Sequence, residues 1–241
     1  MLKLIENKEE AELLEEFCTD SFGINIVSML RAYPPEEDIC RYWIQITGDY
    51  LTAAVCNYNG EVVISTTLKA DFEELREFLE ASGYSDILCQ ARDVVSLEMF
   101  ACGCGQVLRK EDTDAVPFDF ERPETTADYE AVYNLLDIKG EFADWFADIS
   151  RRINKGTADM RIIRRDGKIV STASLLHIAG DRAVLGAVAT DKEYRGQGLA
   201  SGLVNSFGGY TVYLRCLPAL NAFYERMGYK SVDVWAEIKN R

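Results

Sequence analysis

No apolar run in this chain approaches the ~18 residues that a membrane-spanning helix needs, so no span is expected. There is no excess of basic residues either: 26 Lys+Arg stand against 40 Asp+Glu, a formal net charge of −14. A chain with that balance offers nucleic acid no basic face. The acidity is uneven, because residues 1–120 hold 9 Lys+Arg and 24 Asp+Glu, whereas residues 121–241 hold 17 and 16. The opening Met1-Leu2-Lys3-Leu4-Ile5 turns acidic at once, and a signal peptide is not expected. The seven cysteines (Cys18, Cys40, Cys56, Cys89, Cys102, Cys104 and Cys216) are scattered through mostly apolar context, which suits reduced thiols in a cytoplasm. Cys102-Gly103-Cys104 has no second pair with which to form a zinc knuckle, so no metal is expected. What these absences leave is an ordinary globular protein whose 241 residues suffice for two small domains.

What is present centres on Ala183 to Leu203. An apolar, β-forming run (Ala183 to Ala189) reads as a buried strand. A polar turn, Thr190 to Tyr194, leads to Arg195-Gly196-Gln197-Gly198-Leu199-Ala200, and a helix-compatible run continues to Phe207. Glycine lets backbone amides approach a ligand closely. The first amides of a helix have no internal partner and sit at the positive end of its dipole, so a phosphate or pyrophosphate suits this place. Two nucleotide motifs are excluded by spacing. After Gly196 and Gly198 the third glycine of GxGxxG is replaced by Ser201, and no Lys-Ser or Lys-Thr pair completes a P-loop.

The chain reads as two similar halves. In the first, Leu2 to Ile5 is a short strand, Lys8 to Phe17 and Phe22 to Arg31 are helices, and Pro34-Pro35 breaks the chain. Strands Arg41 to Thr47, Tyr50 to Asn57 and Glu61 to Leu68 come next, the last two joined by the hairpin signal Asn59-Gly60. A helix (Phe72 to Glu80), a strand (Asp86 to Cys89), a helix (Val94 to Phe100) and a strand (Gln106 to Arg109) complete it. In the second half the same order runs through a strand at Phe118 to Glu121, helices Thr126 to Leu136 and Phe142 to Ile153, and a hairpin of Met160 to Arg165 and Lys168 to Ile178 about Asp166-Gly167. It continues with the strand Ala183 to Ala189, a helix (Leu199 to Phe207), a strand (Tyr210 to Arg215), a helix (Ala219 to Met227) and a strand (Ser231 to Ile238). Shared order and spacing imply an internal duplication.

The segment Arg195 to Ala200 resembles the acyl-CoA loop [Q/R]-x-x-G-x-[G/A] of the GNAT N-acyltransferase superfamily, with Arg195, Gly198 and Ala200 at its defined positions. The resemblance implies an α/β fold of two tandem GNAT-like domains, 1–112 and 113–241, each a mostly antiparallel twisted sheet flanked by helices. It further implies acetyl-CoA as co-substrate. Amides of Gly196, Gln197, Gly198, Leu199, Ala200 and Ser201 would hold the pyrophosphate, and the strand end Val188-Ala189-Thr190 would pair with the pantetheine in a gap beside Tyr210 to Arg215. Tyr224, in Asn221-Ala-Phe-Tyr-Glu-Arg-Met-Gly-Tyr229, matches the family's tyrosine. A phenol of pKa ~10 keeps its proton at neutral pH and can protonate a thiolate of pKa ~8.5. Many relatives carry a CoA-contacting Asn seven residues earlier. Here that place is Leu217, and Asn221 is the substitute candidate. In the first half Lys69 to Glu74 stands where the loop would be. It lacks glycine and carries Asp71, Glu73 and Glu74, whose carboxylates occupy a helix start and repel an anion. That copy reads as degenerate.

No base is evident. His177, the one histidine, is expected in the hairpin opposite Ala183 and Val184, about 10 Å from Ala187-Val188 at ~3.3 Å per residue, and reads as a hairpin residue. Glu141 and Asp144 are possible amine binders, and a water relay is an equal alternative. The first reading is a cytoplasmic, bacterial-type acetyltransferase acting on a primary amine of a small molecule or peptide, without nucleic acid or membrane partners. The acidity of the first half suggests a cationic acceptor, although that charge is equally explained as solvated surface. The rival reading is a non-catalytic acyl-CoA-binding module. Each half also reads one strand short of the family's fold, so the halves are expected to complete each other, sheet edge toward sheet edge.

Overall fold

Local sequence sets where each element begins. The computed structural model, which describes residues 1–111 and 114–240, opens with strand β1 (Leu2–Ile5) and helix α1 (Lys8–Ala11), capped by Asn7 on the Glu10 amide. The chain then tightens into a 3₁₀ turn (Glu12–Phe17) in place of the continuous α-helix expected. Helix α2 (Ser21–Ala32) starts at Asp20, whose carboxylate accepts from the Phe22 and Gly23 amides at 2.9 and 2.8 Å. Gly23 presses on the previous turn so closely that a Cβ would lie 1.5 Å from the Phe17 carbonyl oxygen. Strands β2 (Cys40–Thr47), β3 (Tyr50–Tyr58) and β4 (Glu61–Thr66) form a meander. Helix α3 (Phe72–Ser82), strand β5 (Asp86–Gln90), helix α4 (Ala91–Ser96) and strand β6 (Gly103–Lys110) come after it. Helix α4 begins and ends earlier than Val94 to Phe100, because the backbone turns left-handed at Glu98 (φ 56).

In the second half, the strand expected at Phe118 to Glu121 is reduced to one bridge between Glu121 and Ile162. Helix α5 (Thr126–Leu136) starts with a capping box of Thr125 and Asp128. Then come α6 (Phe142–Asn154), β7 (Asp159–Arg165), β8 (Lys168–Ala179), β9 (Arg182–Thr190), α7 (Leu199–Ser206) and β10 (Thr211–Cys216). Pro218 opens a 3₁₀ turn (Pro218–Leu220) that shortens the last helix, α8, to Asn221–Glu225, and β11 (Lys230–Lys239) closes the fold.

Among the described residues, all eleven strands share one sheet, in the order β1-β2-β3-β4-β5-β11-β6-β10-β9-β8-β7. Its pairings are antiparallel except β4 with β5 and β9 with β10. This is the expected mixed, mostly antiparallel sheet, but its centre holds a feature that element order did not reveal. Strand β6, from the first half, pairs with β10, while β11, from the second, pairs with β5, and the two lie antiparallel to each other. The two deficits are filled by exchanging strands, rather than by abutting edges. The boundary expected between residues 112 and 113 lies outside the described residues.

Helix α2 seals the join. Eleven of its twelve residues are buried, as an all-round apolar helix requires. Ile26, Met29 and Leu30 pack with Tyr42 and Ile44. Phe22, Ile24 and Val27 pack with Val107, Ala179, Val184 and Tyr213, which reach into the second half. Each such side chain contributes about 1.5–3 kcal/mol on burial. The other face of the sheet is covered by α3 near β4 and by α7 near β9 and β10.

In the first half, β4 and β5 pair only over Glu61–Val63 and Asp86–Leu88. The space beyond is occupied by side chains. Asp20 accepts from Ser65 Oγ at 3.4 Å and Gln90 Nε2 at 3.2 Å, and Thr66 Oγ1 donates to Asp93 at 2.8 Å. The start of α3 is likewise occupied. Asp71 caps the Glu74 amide, and the Glu74 carboxylate holds the Leu2 amide and the N-terminal ammonium. Asp93 is fully buried, and desolvation pushes its pKa up from 3.8 to about 6. Its pKa is therefore higher folded than unfolded, so the carboxylate costs stability above pH ~6 and the cost vanishes as pH falls toward ~4. About two units correspond to a penalty on the order of 3 kcal/mol. Asp93→Asn is expected to raise the melting temperature at pH 8 and to leave it nearly unchanged at pH 4. An equal shift at both pH values, measured calorimetrically, would rule this origin out.

Candidate active site

The second half keeps its split open. Strands β9 and β10 pair only from Arg182–Leu185 to Thr211–Leu214, although β9 continues to Thr190 and β10 to Cys216. The cause lies at Gly186-Ala187. Ala187 adopts φ 49, and the β8–β9 register shifts on the partner strand between Thr172 and Ser174. A bulge of this kind bends its strand and re-aims the residues beyond it. Gly186 has no room for a side chain, since a Cβ would meet Leu176 Cδ1 at 2.5 Å.

Beyond Thr190 the chain makes a built turn. Asp191 caps a 3₁₀ turn (Lys192–Tyr194) and takes an ion pair from Lys168 Nζ at 2.6 Å. Arg195 Nε reaches back to the Thr190 carbonyl at 3.1 Å. Gly196 (φ 77) and Gly198 (φ 79) then take the left-handed backbone that the turn needs, and Gly198 is the N-cap of α7. Nothing lies within 4 Å of a Cβ placed on Gly196. The amides of Leu199, Ala200 and Ser201, at the start of the helix, have no carbonyl behind them.

The β9 side of the split and the turn open on one cavity of about 660 Å³. Of the residues expected to hold the co-substrate, Val188, Ala189, Thr190, Arg195, Gly196, Gly198, Leu199, Ala200 and Ser201 line it, and so does Tyr224. Gln197 is exposed and outside the lining, and Asn221 instead accepts from Cys216 Sγ at 3.4 Å. Leu135, Tyr194, Leu220, Phe223 and Arg226 complete the lining from outside the expected set. Arg226 stands two residues after Tyr224 and adds a second cation to Arg195. Leu135 comes from α5, and nothing in its local sequence marks it.

Tyr224 is 7% exposed. It is held edge-on between Phe223 and Tyr229, with ring centroids 5.0 and 5.8 Å away. Burial, then the neighbouring Cys216, raise its phenol to about 12. Packing and access to the cavity therefore coincide in this residue. His177 pairs with Val184 as expected and is buried, 3.4 Å from Arg152 Nη1. Desolvation and the adjacent arginines hold its pKa well below the usual imidazole range, so it stays neutral. Glu141 and Asp144 are exposed at the start of α6, away from the lining.

Residues 157–231 match the family model of the acetyltransferase (GNAT) domain. Among solved structures, an X-ray structure of a Drosophila protein is similar at 14% identity and a TM-score of 0.66, over 99% of this chain and 98% of that one. A tandem GNAT protein from the clavulanic acid biosynthesis pathway aligns over 98% and 97% at 12% identity, TM-score 0.59. A GCN5-related N-acetyltransferase from Kribbella flavida aligns over 82% and 88% at 17% identity, also with a TM-score of 0.59. A sequence search of curated proteins gives no significant match. At these identities the structural likeness speaks for the fold, and the family model speaks for the half that contains the cavity. Residues 157–231 thus carry the sequence signature of a GNAT acetyltransferase domain, within a fold similar over nearly the whole chain to that of a solved tandem GNAT protein.

Proposed function

We propose that the protein transfers an acetyl group from acetyl-CoA to a primary amine, using the second half for chemistry and the first as scaffold. The observation that carries this reading is the meeting of three features in one cavity: the split between β9 and β10, the glycine turn at the start of α7, and Tyr224. The turn suits a pyrophosphate, because Gly196 leaves open the space that a Cβ would fill and the first helical amides are free donors at a positive dipole end. Arg195 and Arg226 line the same cavity and add positive charge. The unpaired edge of β9 at Val188 to Thr190 suits an amide-bearing chain such as pantetheine. When bound, acetyl-CoA supplies the thioester carbon that an amine attacks.

Tyr224 Oη holds the proton for the departing thiolate. With its phenol near 12, full transfer to a thiolate of ordinary pKa ~8.5 is strongly uphill. Tyr224 therefore acts first as a hydrogen-bond donor to the developing charge, and the burial that raises the phenol raises the thiol as well. Among the described residues no carboxylate or histidine lines the cavity, so the amine loses its proton to water. Retention of Tyr224 in the cavity favours catalysis over acyl-CoA binding alone.

Two variants test this reading. Gly198→Glu places a carboxylate and a side chain where the turn needs φ 79. It is expected to abolish acetyl-CoA binding in calorimetric titration while the wild type binds ~1:1, and undiminished binding would remove the loop assignment. Tyr224→Phe is expected to lower kcat by roughly 10²–10⁴ with acetyl-CoA affinity unchanged. The wild-type rate should rise with pH as the amine deprotonates, without an alkaline fall up to pH ~10, because the phenol loses its proton only near 12. An unaltered kcat in the variant would mean that Tyr224 only packs, and a wild-type fall between pH 8 and 10 would contradict the raised phenol.

A further inference from the structure

The face of the split turned toward α2 is polar and cationic. Along β10, Leu214 and Cys216 join the core beneath α7, whereas Tyr213 packs with Phe22, Ile24 and Val27 of α2. Side chains alternate along a strand, so Arg215 shares the α2 face with Tyr213, and its guanidinium lies 5.6 Å over the Phe22 ring. It is also the first β10 residue past Leu214, where pairing with β9 ends. Arg215 as a whole is half-buried, and desolvation of its guanidinium lowers its pKa to about 10. Its Nη1 has no hydrogen-bond partner. The acid that acts on it is Asp20, whose oxygens are already engaged by the Phe22 and Gly23 amides, Ser65 and Gln90.

Two further buried donors lack partners. Ser174 pairs with Gly186, at the bulge that opens the split, and is buried with its hydroxyl unpartnered. Ser21, in the first turn of α2 beside Phe22, is equally buried and unpartnered. Unmade hydrogen bonds on buried groups are costly. Three donors without a partner, on β10, on β8 and in the first turn of the twelve-residue α2, are groups that an anion would satisfy, and the positive end of the helix dipole favours one.

We infer that Arg215, with Ser174 and Ser21, binds a carboxylate of the acceptor, so that the amine acetylated is amino-acid-like, with an amino group and a carboxylate separated by only a few bonds. The inference rests on the reading that the β9–β10 split holds the acetyl thioester. It reverses the expectation drawn from net charge. The acidic excess lies largely on exposed positions of the first half such as Glu12, Glu16, Glu73 and Glu80, where solvent and salt screen it beyond ~10 Å. On β10, Arg215 is the charged side chain just past the pairing with β9.

The test begins with titration of the full chain with acetyl-CoA. Absence of binding would overturn the functional reading itself, and the inference with it. With binding established, release of free CoA thiol is monitored for the twenty amino acids, for their decarboxylated amines, and for phosphoethanolamine. At least one amino acid is expected to be acetylated with kcat/KM about 10-fold or more above its decarboxylated partner, as loss of a charged hydrogen bond predicts. Arg215→Met should raise KM for that amino acid by a similar factor and erase the preference, with acetyl-CoA affinity intact, and Arg215→Lys should restore part of it. The wild-type comparison stands even where Arg215→Met fails to fold. Decarboxylated amines or phosphoethanolamine used as well as amino acids, no turnover of any member, or a preference that survives in Arg215→Met would each overturn the assignment.

Discussion

The hydrogen bonds between β6 and β11 are the constraint on which the rest of this structure depends. Without the exchange, β5 and β10 would each end a sheet with a row of unpaired amides and carbonyls, an exposure that proteins manage explicitly. The exchange removes both edges at once and makes the halves inseparable parts of one sheet. It also reaches the cavity. Trp235 on β11 donates its indole N–H to the Cys216 carbonyl at 3.2 Å, at the end of β10 where the split is widest. Opposite it, Gly105 on β6 leaves space that a Cβ would take from that same oxygen, which is only 2.2 Å from the Cβ position. The strand that borders the proposed thioester site is thus braced by the exchanged strands of both halves.

The fold produces the same split twice and uses it in opposite ways. Between β4 and β5, Asp20, Ser65 and Gln90 bond across the gap, Thr66 and Asp93 lie beside it, and Asp71 and Glu74 occupy the helix start that an anion would need. Between β9 and β10, glycine replaces those carboxylates at the turn and the gap stays open. The difference lies in a few side chains on a shared backbone plan. One copy retains rigidity and the other retains access.

Much of this was legible in the chain. Turn chemistry at Asn59-Gly60 and Asp166-Gly167 fixed two hairpins, and the run from Arg195 to Ala200 marked the anion turn. Strand exchange was not legible, because partners far apart in sequence leave no local periodicity. The split itself depends on one left-handed alanine, Ala187, and on the close packing of Gly186 under Leu176, which no motif signals. Single-residue irregularities also explain the shortened helices: Glu98 turns left-handed after α4, and Pro218 redirects the start of α8. Gln197 and Asn221 sit within the right motifs yet outside the lining, since a motif gives spacing but not the direction of each side chain.

The central claim is that one of the two splits binds acetyl-CoA and the other does not. Hydrogen–deuterium exchange of the full chain, with and without saturating acetyl-CoA, tests this directly. The account predicts new protection of amides within residues 186–201 and no change within residues 64–74. Protection of 64–74, or none at 186–201 under saturation, would contradict it.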